Sequence, residues 1–284
     1  MAVNVENSFV ASFDAMVKHA YQDEMKLRGT VRLKTGVVGK THRFPIIGES
    51  MAQKRVPRTL VEPGKTKHDG KVATLEDYIA TEFSDVYDLA KLNFDEKKEL
   101  ATSCAKAMGR RSDQLQIDAM AADSTIGSVA TSFGGDNSFN LKKLLRMKRM
   151  MDENNVPEYD RHLAIPAVML EEALNSDKFT SEDYNLVRTL YDGTLKKYAG
   201  FEFHLIGNRT EGGLGSSKSG STITYNAYGW HKDAVGFAIG MDIRTDITYE
   251  NLYTSWLINC LFSAGAVVID PKGVVKMTTQ ETVS

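Results

Sequence analysis

Cysteine is scarce. The 284 residues hold two, Cys104 and Cys260, each inside an apolar run and neither with a CxxC partner. That excludes a disulfide framework and a zinc ribbon, and leaves both as small core hydrophobes of a reducing compartment. Long hydrophobic runs are missing too. The most apolar segment, Trp256 to Ile269, is short and contains Asn259 and Ser263, whereas a membrane-spanning helix needs about 20 apolar residues. The opening stretch, MAVNVENSFVASFDAMVKHAYQDEM, has neither a basic start nor a continuous apolar core, so no signal peptide is expected. Net charge is nearly absent, at -2, which excludes a nucleic-acid binder of the strongly basic kind. No repeat of solenoid or propeller period is present.

What is present is an ordinary soluble composition with an unusual charge pattern. With 42% hydrophobic and 25% charged residues, the chain can bury a sizeable core in one large or two ordinary domains. Residues 26–72 carry twelve Lys or Arg against Glu49, Glu62 and Asp69. Six glycines and three prolines interrupt short β-like pieces there, Thr30–Leu33 and His42–Ile47 among them. Such a strand-and-turn segment has little core to bury alone and is expected to project from the body. Residues 73–99 reverse the sign, with eight Asp or Glu against three Lys. A basic extended arm followed by an acidic region suits subunits that wrap one another, because complementary potentials set register and partner choice. The basic set to watch is Lys34, Lys40, Arg43, Lys54, Arg55 and Arg58; the acidic set is Glu76, Asp77, Glu82 and Asp85. The plainer reading, that both are solvated faces of one fold, stays open on charge alone.

Spacing predicts a helix over residues 5–26 and a longer one from Asp95 to about Ala122. Asp95 or Asn93 would cap the second, with Leu100, Cys104, Met108, Leu115 and Ala119 as its buried stripe. Gly109 is its weak point. A small-residue loop, 121–140, leads to a basic amphipathic helix from Leu141 to about Glu153, capped by Ser138 or Asn140. That helix could touch DNA or a membrane, but more often such a helix covers a core. Asp160–Pro166 reads as a buried strand, Ala167–Asn175 as a helix, Val187–Tyr198 as a further segment and Gly200–Ile206 as an alternating strand, an α/β pattern. Residues 207–221 read as an exposed glycine-rich loop. Ala266–Ile269 and Val274–Met277 flank Asp270-Pro271-Lys272-Gly273, so a hairpin is predicted there.

No catalytic set emerges. Gly39-Lys40-Thr41 and Gly64-Lys65-Thr66 lack the earlier glycine of a phosphate-binding loop, and neither opens a helix. The six histidines show no metal-ligand spacing, and Ser216, Ser217 and Ser219 have no nucleophile elbow around them. Neither a catalytic residue, a cofactor nor a metal is expected.

The order of pieces resembles the major capsid proteins of tailed bacteriophages, the Hong Kong phage capsid fold, and most of all those of short-tailed phages. Arg32–Gly48 (RLKTGVVGKTHRFPIIG) looks like the projecting hairpin of that fold, the E-loop. Lys67–Leu89 resembles its returning strand and the approach to the spine helix. Asp152–Pro166 (DENNVPEYDRHLAIP), Tyr198–Phe201, His231–Ile239 and Gly265–Val275 resemble later landmarks in the right order. The resemblance implies an α+β chain: N-terminal arm 1–28, E-loop 29–72, peripheral domain with spine helix 73–135, axial domain 136–225, and C-terminal return 226–284. It implies a structural protein, not an enzyme, that assembles with itself as pentamers and hexamers into an icosahedral shell around double-stranded phage DNA. The virion, put together in the bacterial cytoplasm, would be its location. A separate scaffolding protein, a portal and a cement protein are the further partners implied; a membrane is not. Some relatives crosslink through a Lys–Asn bond, and nothing in this sequence marks such a pair. The alternative on the same fold is the shell of a cellular nanocompartment, an encapsulin, enclosing an enzyme instead of a genome.

Overall fold

The computed structural model describes residues 24–52, 54, 57, 66–89, 95–175 and 197–282. The predicted Val187–Tyr198 segment lies outside them save its last two residues, and so does the predicted N-terminal helix save residues 24–26, which are not helical. In chain order the strands are β1 (Arg32–Lys34), β2 (Thr41–Ile47), β3 (His68–Thr74), β4 (Glu76–Asp85), β5 (Gly127–Val129), β6 (Arg161–Ile165), β7 (Lys197–Tyr198), β8 (Phe201–Leu205), β9 (Ser216–Ser219), β10 (Thr222–His231), β11 (Val235–Glu250), β12 (Ser255–Val268) and β13 (Val274–Thr282). The helices are α1 (Val86–Leu89), α2 (Glu96–Ala122), α3 (Leu141–Glu153) and α4 (Ala167–Leu174). Among the described residues no helix is long and apolar enough to cross a membrane.

The strands divide into three sheets. One runs β1-β11-β12-β4, a larger mixed one runs β5-β13-β10-β6-β8-β7 with β9 beside β10, and β2 and β3 pair alone. The long helix α2 covers the four-stranded sheet, whereas α3 packs on β13 and β5 of the larger one. The main core lies under α2, where Cys104, Met108, Ile117 and Met120 meet Phe237, Ile239, Cys260 and Phe262. A second core joins Leu144, Met147 and Met151 of α3 to Leu163, Phe201 and Met277.

Helix α2 begins where its capping residue predicts: the Asp95 carboxylate accepts the Lys98 N–H, with Glu96 and Glu99 in the first turn. Its buried face differs from the predicted one. Spacing by four from Cys104 and Met108 continues through Ser112 and Gln116 to Met120, all buried, while Leu115 and Ala119 are only half-buried. The predicted stripe followed apolar residues; the helix instead buries polar ones, because the chain at residues 24–27 crosses its surface. Gly109 permits that crossing, since a Cβ there would stand 3.2 Å from Met25 Cβ. Helix α3 is capped by Asn140, whose side chain accepts the Lys143 N–H at 2.9 Å, and it covers a core with Leu144, Met147 and Met151.

The Asp270–Gly273 turn forms but closes no hairpin. Asp270 Oδ1 accepts the Lys272 N–H and a short 3-10 turn follows. The strands on either side belong to different sheets: β12 pairs β11 and β4, β13 pairs β10 and β5. The same change of sheet occurs at Lys232–Ala234, between β10 and β11. The two corners pack together, with Ile269 and Asp270 N–H groups both donating to Ala234 O. A Cβ on Gly273 would lie 2.6 Å from Ala234 Cβ, so only glycine lets the corners meet. The true hairpin turn is Asn251–Thr254, joining β11 to β12, and it holds neither glycine nor proline; Thr254 takes the left-handed conformation at φ 52°. The 207–221 segment is likewise not all loop, because β9 pairs with β10.

Candidate assembly surface

Strands β2 and β3 make a two-stranded ribbon, with Thr41 opposite Thr74 at the root and Ile47 opposite His68 farther out. Only its root is buried. Phe44, Ala73 and Leu75 form a small cluster with Ala238 and Ile269, while Val38, Ile47, Met51 and Val72 are exposed. The Leu75 N–H donates to Lys40 O at 2.8 Å and closes the root.

What receives the ribbon is a floor of small residues. On β11 the sequence alternates Gly236, Ala238, Gly240 with the bulky Phe237 and Ile239, and Gly265 of β12 stands opposite Ala238. A Cβ on Gly236 would meet the Phe44 ring at 2.7 Å, one on Gly240 the Leu75 side chain at 2.7 Å, and one on Gly265 the Thr74 carbonyl oxygen at 2.0 Å. The last contact is with backbone, which no rotamer change relieves. The ribbon is therefore mounted where the sheet has no side chains. This seat was missed in the sequence, though the alternation of small and large residues is a visible signal for it.

The basic residues fall on this ribbon and at one sheet edge. Lys40 and Arg43 are exposed on the ribbon and its approach, Lys54 is exposed in the segment between β2 and β3, and Lys34 ends the edge strand β1. Arg55 and Arg58 lie outside the described residues. Glu76, Asp77, Glu82 and Asp85 all fall on β4, at the opposite edge of the same sheet. Tyr78 and Ala80 of β4 face the core, so the other side of the strand turns Asp77, Ile79 and Phe83 outward. Among the described residues no ion pair joins the basic set to the acidic set. Among the described residues the two sets lie on different elements, the ribbon and β1 against β4. An exposed edge strand with apolar side chains is in addition a ready surface for another chain.

The residues just before the ribbon are held at several points. The buried Asp113 carboxylate of α2 accepts the N–H groups of Lys26 and Leu27, both at 2.9 Å, and pairs with the buried Arg209 guanidinium at 2.9 Å. Burial pushes the Asp113 carboxyl above the usual carboxylate range, and the three donors act against that. The fully buried Trp230 donates its indole N–H to Thr30 O at 2.9 Å. Arg28 pairs with Asp242 through both guanidinium nitrogens.

Among the described residues the sequence candidates for chemistry are not brought together. Gly39 sits at φ 102° in a turn ahead of β2, not at a helix start, and Gly64 and Lys65 lie outside the described residues. Cys104 and Cys260 are free and buried, and burial pushes the Cys104 thiol up to about 11, far from a reactive thiolate.

The comparisons agree with this picture. Solved structures of phage heads superpose over nearly the whole chain. The capsid of the cyanophage P-SCSP1u has a TM-score of 0.74 at 19% identity, covering 100% of this chain and 96% of its own. The head of Helicobacter pylori bacteriophage KHP40 gives 0.74 at 11% identity, covering 98% of each chain. Mycobacterium phage Che8 gives 0.69 at 14% identity, covering 95% of this chain and 97% of its own. At these identities the likeness is one of fold, and it is the α+β phage capsid fold. No curated protein sequence matches the chain. The profile of the family described as phage capsid protein matches residues 5–281, nearly the full length, and on that match the chain belongs to the phage capsid protein family, whose members are structural proteins of the virion and not enzymes.

Proposed function

We propose that this chain is the major capsid protein of a tailed phage, assembling as pentamers and hexamers into an icosahedral shell around double-stranded DNA. The observation that carries the reading is the mounted ribbon: its root fills a seat of glycines, and its exposed length carries Lys40 and Arg43. In this reading the ribbon is the E-loop and lies across a neighbouring subunit. It meets the acidic, apolar outer side of β4, where Asp77, Ile79 and Phe83 are exposed. The four-stranded sheet with α2 is the peripheral domain, and the larger sheet with α3 the axial domain. Lys34, Lys54, Arg55 and Arg58 add to the basic side of the contact, and Glu76, Glu82 and Asp85 to the acidic side. A scaffolding protein encoded separately, a portal, a cement protein and assembly in the host cytoplasm complete the scheme. The match to phage capsid proteins favours a genome-enclosing shell over a cellular nanocompartment.

The test reverses charge under conditions where the unmodified chain forms closed particles by negative-stain microscopy. Changing Lys40→Glu, Arg43→Glu, Lys54→Glu and Arg55→Glu together is expected to abolish particles and leave a folded monomer on size-exclusion chromatography. Adding Glu76→Lys, Asp77→Lys and Glu82→Lys is expected to restore part of the yield. Particles of normal yield from the first variant would remove the ribbon–β4 contact from the account.

A further inference from the structure

Far from one another in sequence, three side chains with metal-ligating atoms meet on the larger sheet. Strands β6 and β8 run parallel, with His162 opposite Glu202 and Ala164 opposite His204. Residues 162, 202 and 204 therefore share one face, in a row that continues to Trp230, opposite His162 on β10. The ligating atoms of His162, Glu202 and His204 all lie within 4.8 Å of one another. His162 Nδ1 stands 3.1 Å from His204 Nε2 and 3.6 Å from Glu202 Oε2.

We propose that His162, Glu202 and His204 form a binding site for one divalent transition-metal ion, with zinc the best match. An ion about 2.0–2.1 Å from nitrogen and oxygen ligands in tetrahedral geometry sets those ligands about 3.3–3.4 Å apart. The two separations from His162 lie on either side of that spacing, and the third, between Glu202 and His204, is at most 4.8 Å, so an ion is reached by drawing the exposed Glu202 carboxylate inward. Two imidazoles and one carboxylate make a borderline donor set that suits zinc and disfavours magnesium and calcium, which want oxygen alone. Three protein ligands leave a fourth position for water or for a donor from another chain, and Glu202, the exposed member, places that position toward solvent.

The surroundings are built for this. The ligands come from strands inside a sheet, not from loops, and the Trp230 ring lies 6.0 Å from the His162 ring and 6.3 Å from the His204 ring, which limits how either can turn. Glu202 supplies the negative charge of the ligand set. An ion here would tie together two parallel strands whose connection runs through more than thirty residues, a pairing costly in loop-closure entropy.

The experiment uses the full-length chain stripped with a chelator and titrated with zinc chloride by calorimetry, with cobalt chloride as a spectroscopic probe. One ion per chain is expected, with a rise in the denaturation midpoint and visible cobalt bands of tetrahedral type. His204→Ala and Glu202→Gln are each expected to weaken binding by about 100-fold, at least the effect of removing an outer-sphere partner. Glu202 is exposed, so its variant folds even if His204→Ala does not. Absence of saturable binding at one ion per chain would overturn the site, and so would zinc binding by Glu202→Gln as tight as that of the unmodified chain.

Discussion

Asp113→Asn is the sharpest probe of how the capsid subunit holds the root of its arm. The carboxylate accepts three hydrogen bonds of 2.9 Å, from the Lys26 and Leu27 N–H groups and from Arg209, and both charged side chains are at most 1% exposed. Asparagine keeps one carbonyl oxygen but turns an NH2 group toward donors, so at least one N–H loses its acceptor. The Arg209 guanidinium loses the charge of the buried carboxylate it pairs with. Removing one partner of a buried ion pair costs about 3–5 kcal/mol, against a total stability of about 5–15 kcal/mol for a folded domain. Urea denaturation of unassembled subunits, followed by the fluorescence of the buried Trp230, measures it; the slope with denaturant should stay unchanged. Arg209→Met alone should cost a similar amount, and the double variant less than the sum, with a coupling of about 2 kcal/mol. A loss below about 1 kcal/mol for Asp113→Asn, or additive singles, would refute the claim that this pair fastens the arm to the spine helix.

Other positions give independent checks. Gly265→Ala drives a Cβ against the Thr74 carbonyl and is expected to cost about 1–3 kcal/mol by overpacking and to lower particle yield. Gly29→Ala, with open space around its Cβ, is the control and should do neither. Ala199 occupies the left-handed region at φ 50°, followed by Gly200 at 89°, in the two-residue turn between β7 and β8; Ala199→Asn supplies the residue such a turn prefers and should raise stability by about 0.5–1 kcal/mol in the same urea assay. His231 is buried, and that burial pushes its imidazole below the ordinary value near 6.5. Its contribution is therefore present above that value and lost as pH falls through the folded one. His231→Asn, which keeps an acceptor for the Asp233 N–H, should shrink the stability lost between pH 7 and pH 5; an unchanged pH profile would show that other groups carry it.

Much of this fold could be read from spacing and capping. Asp95, Asn140 and the apolar pattern behind them locate α2 and α3 to within a residue, because caps and periodicity are local properties. The buried core strand Arg161–Ile165 was equally plain, inside the predicted Asp160–Pro166. What could not be read is non-local. The predicted hairpin at Asp270–Gly273 has the right turn chemistry, yet whether its flanking strands pair depends on the matching corner at Lys232–Ala234, some forty residues earlier. Nothing local marks Asp113 as buried, since its partners Lys26, Leu27 and Arg209 lie about ninety residues away on either side. His162 and His204 lack ligand spacing for the same reason: the parallel register of β6 on β8, not their separation in sequence, brings them together. The charge alternation between 26–72 and 73–99 was visible at once, and the structure places four of the eight acidic residues of its second half on one strand.

The arm's two anchors explain why one chain can serve in a shell built of many copies. Before the ribbon, residues 26–30 are fixed to α2 through Asp113, to β11 through Asp242, and to the larger sheet through Trp230 and Leu205 O. After the ribbon, Thr74 and Leu75 are pressed into the glycine seat and followed at once by β4. Both roots are therefore tied to the core that holds the two large sheets together, and the ribbon leaves the body in a set direction. Beyond the root the described part of the ribbon is a two-stranded ladder with Ile47 and Val72 exposed, and an isolated ladder of that kind is only marginally stable in water. If the ribbon is the inter-subunit arm proposed above, a rigid mount with a pliant tip would fix which neighbour it reaches and leave its outer contacts free to adapt. Stiffening the tip and loosening the seat should thus fail in opposite ways: the first with particles of restricted curvature, the second with subunits that fold but find no partner.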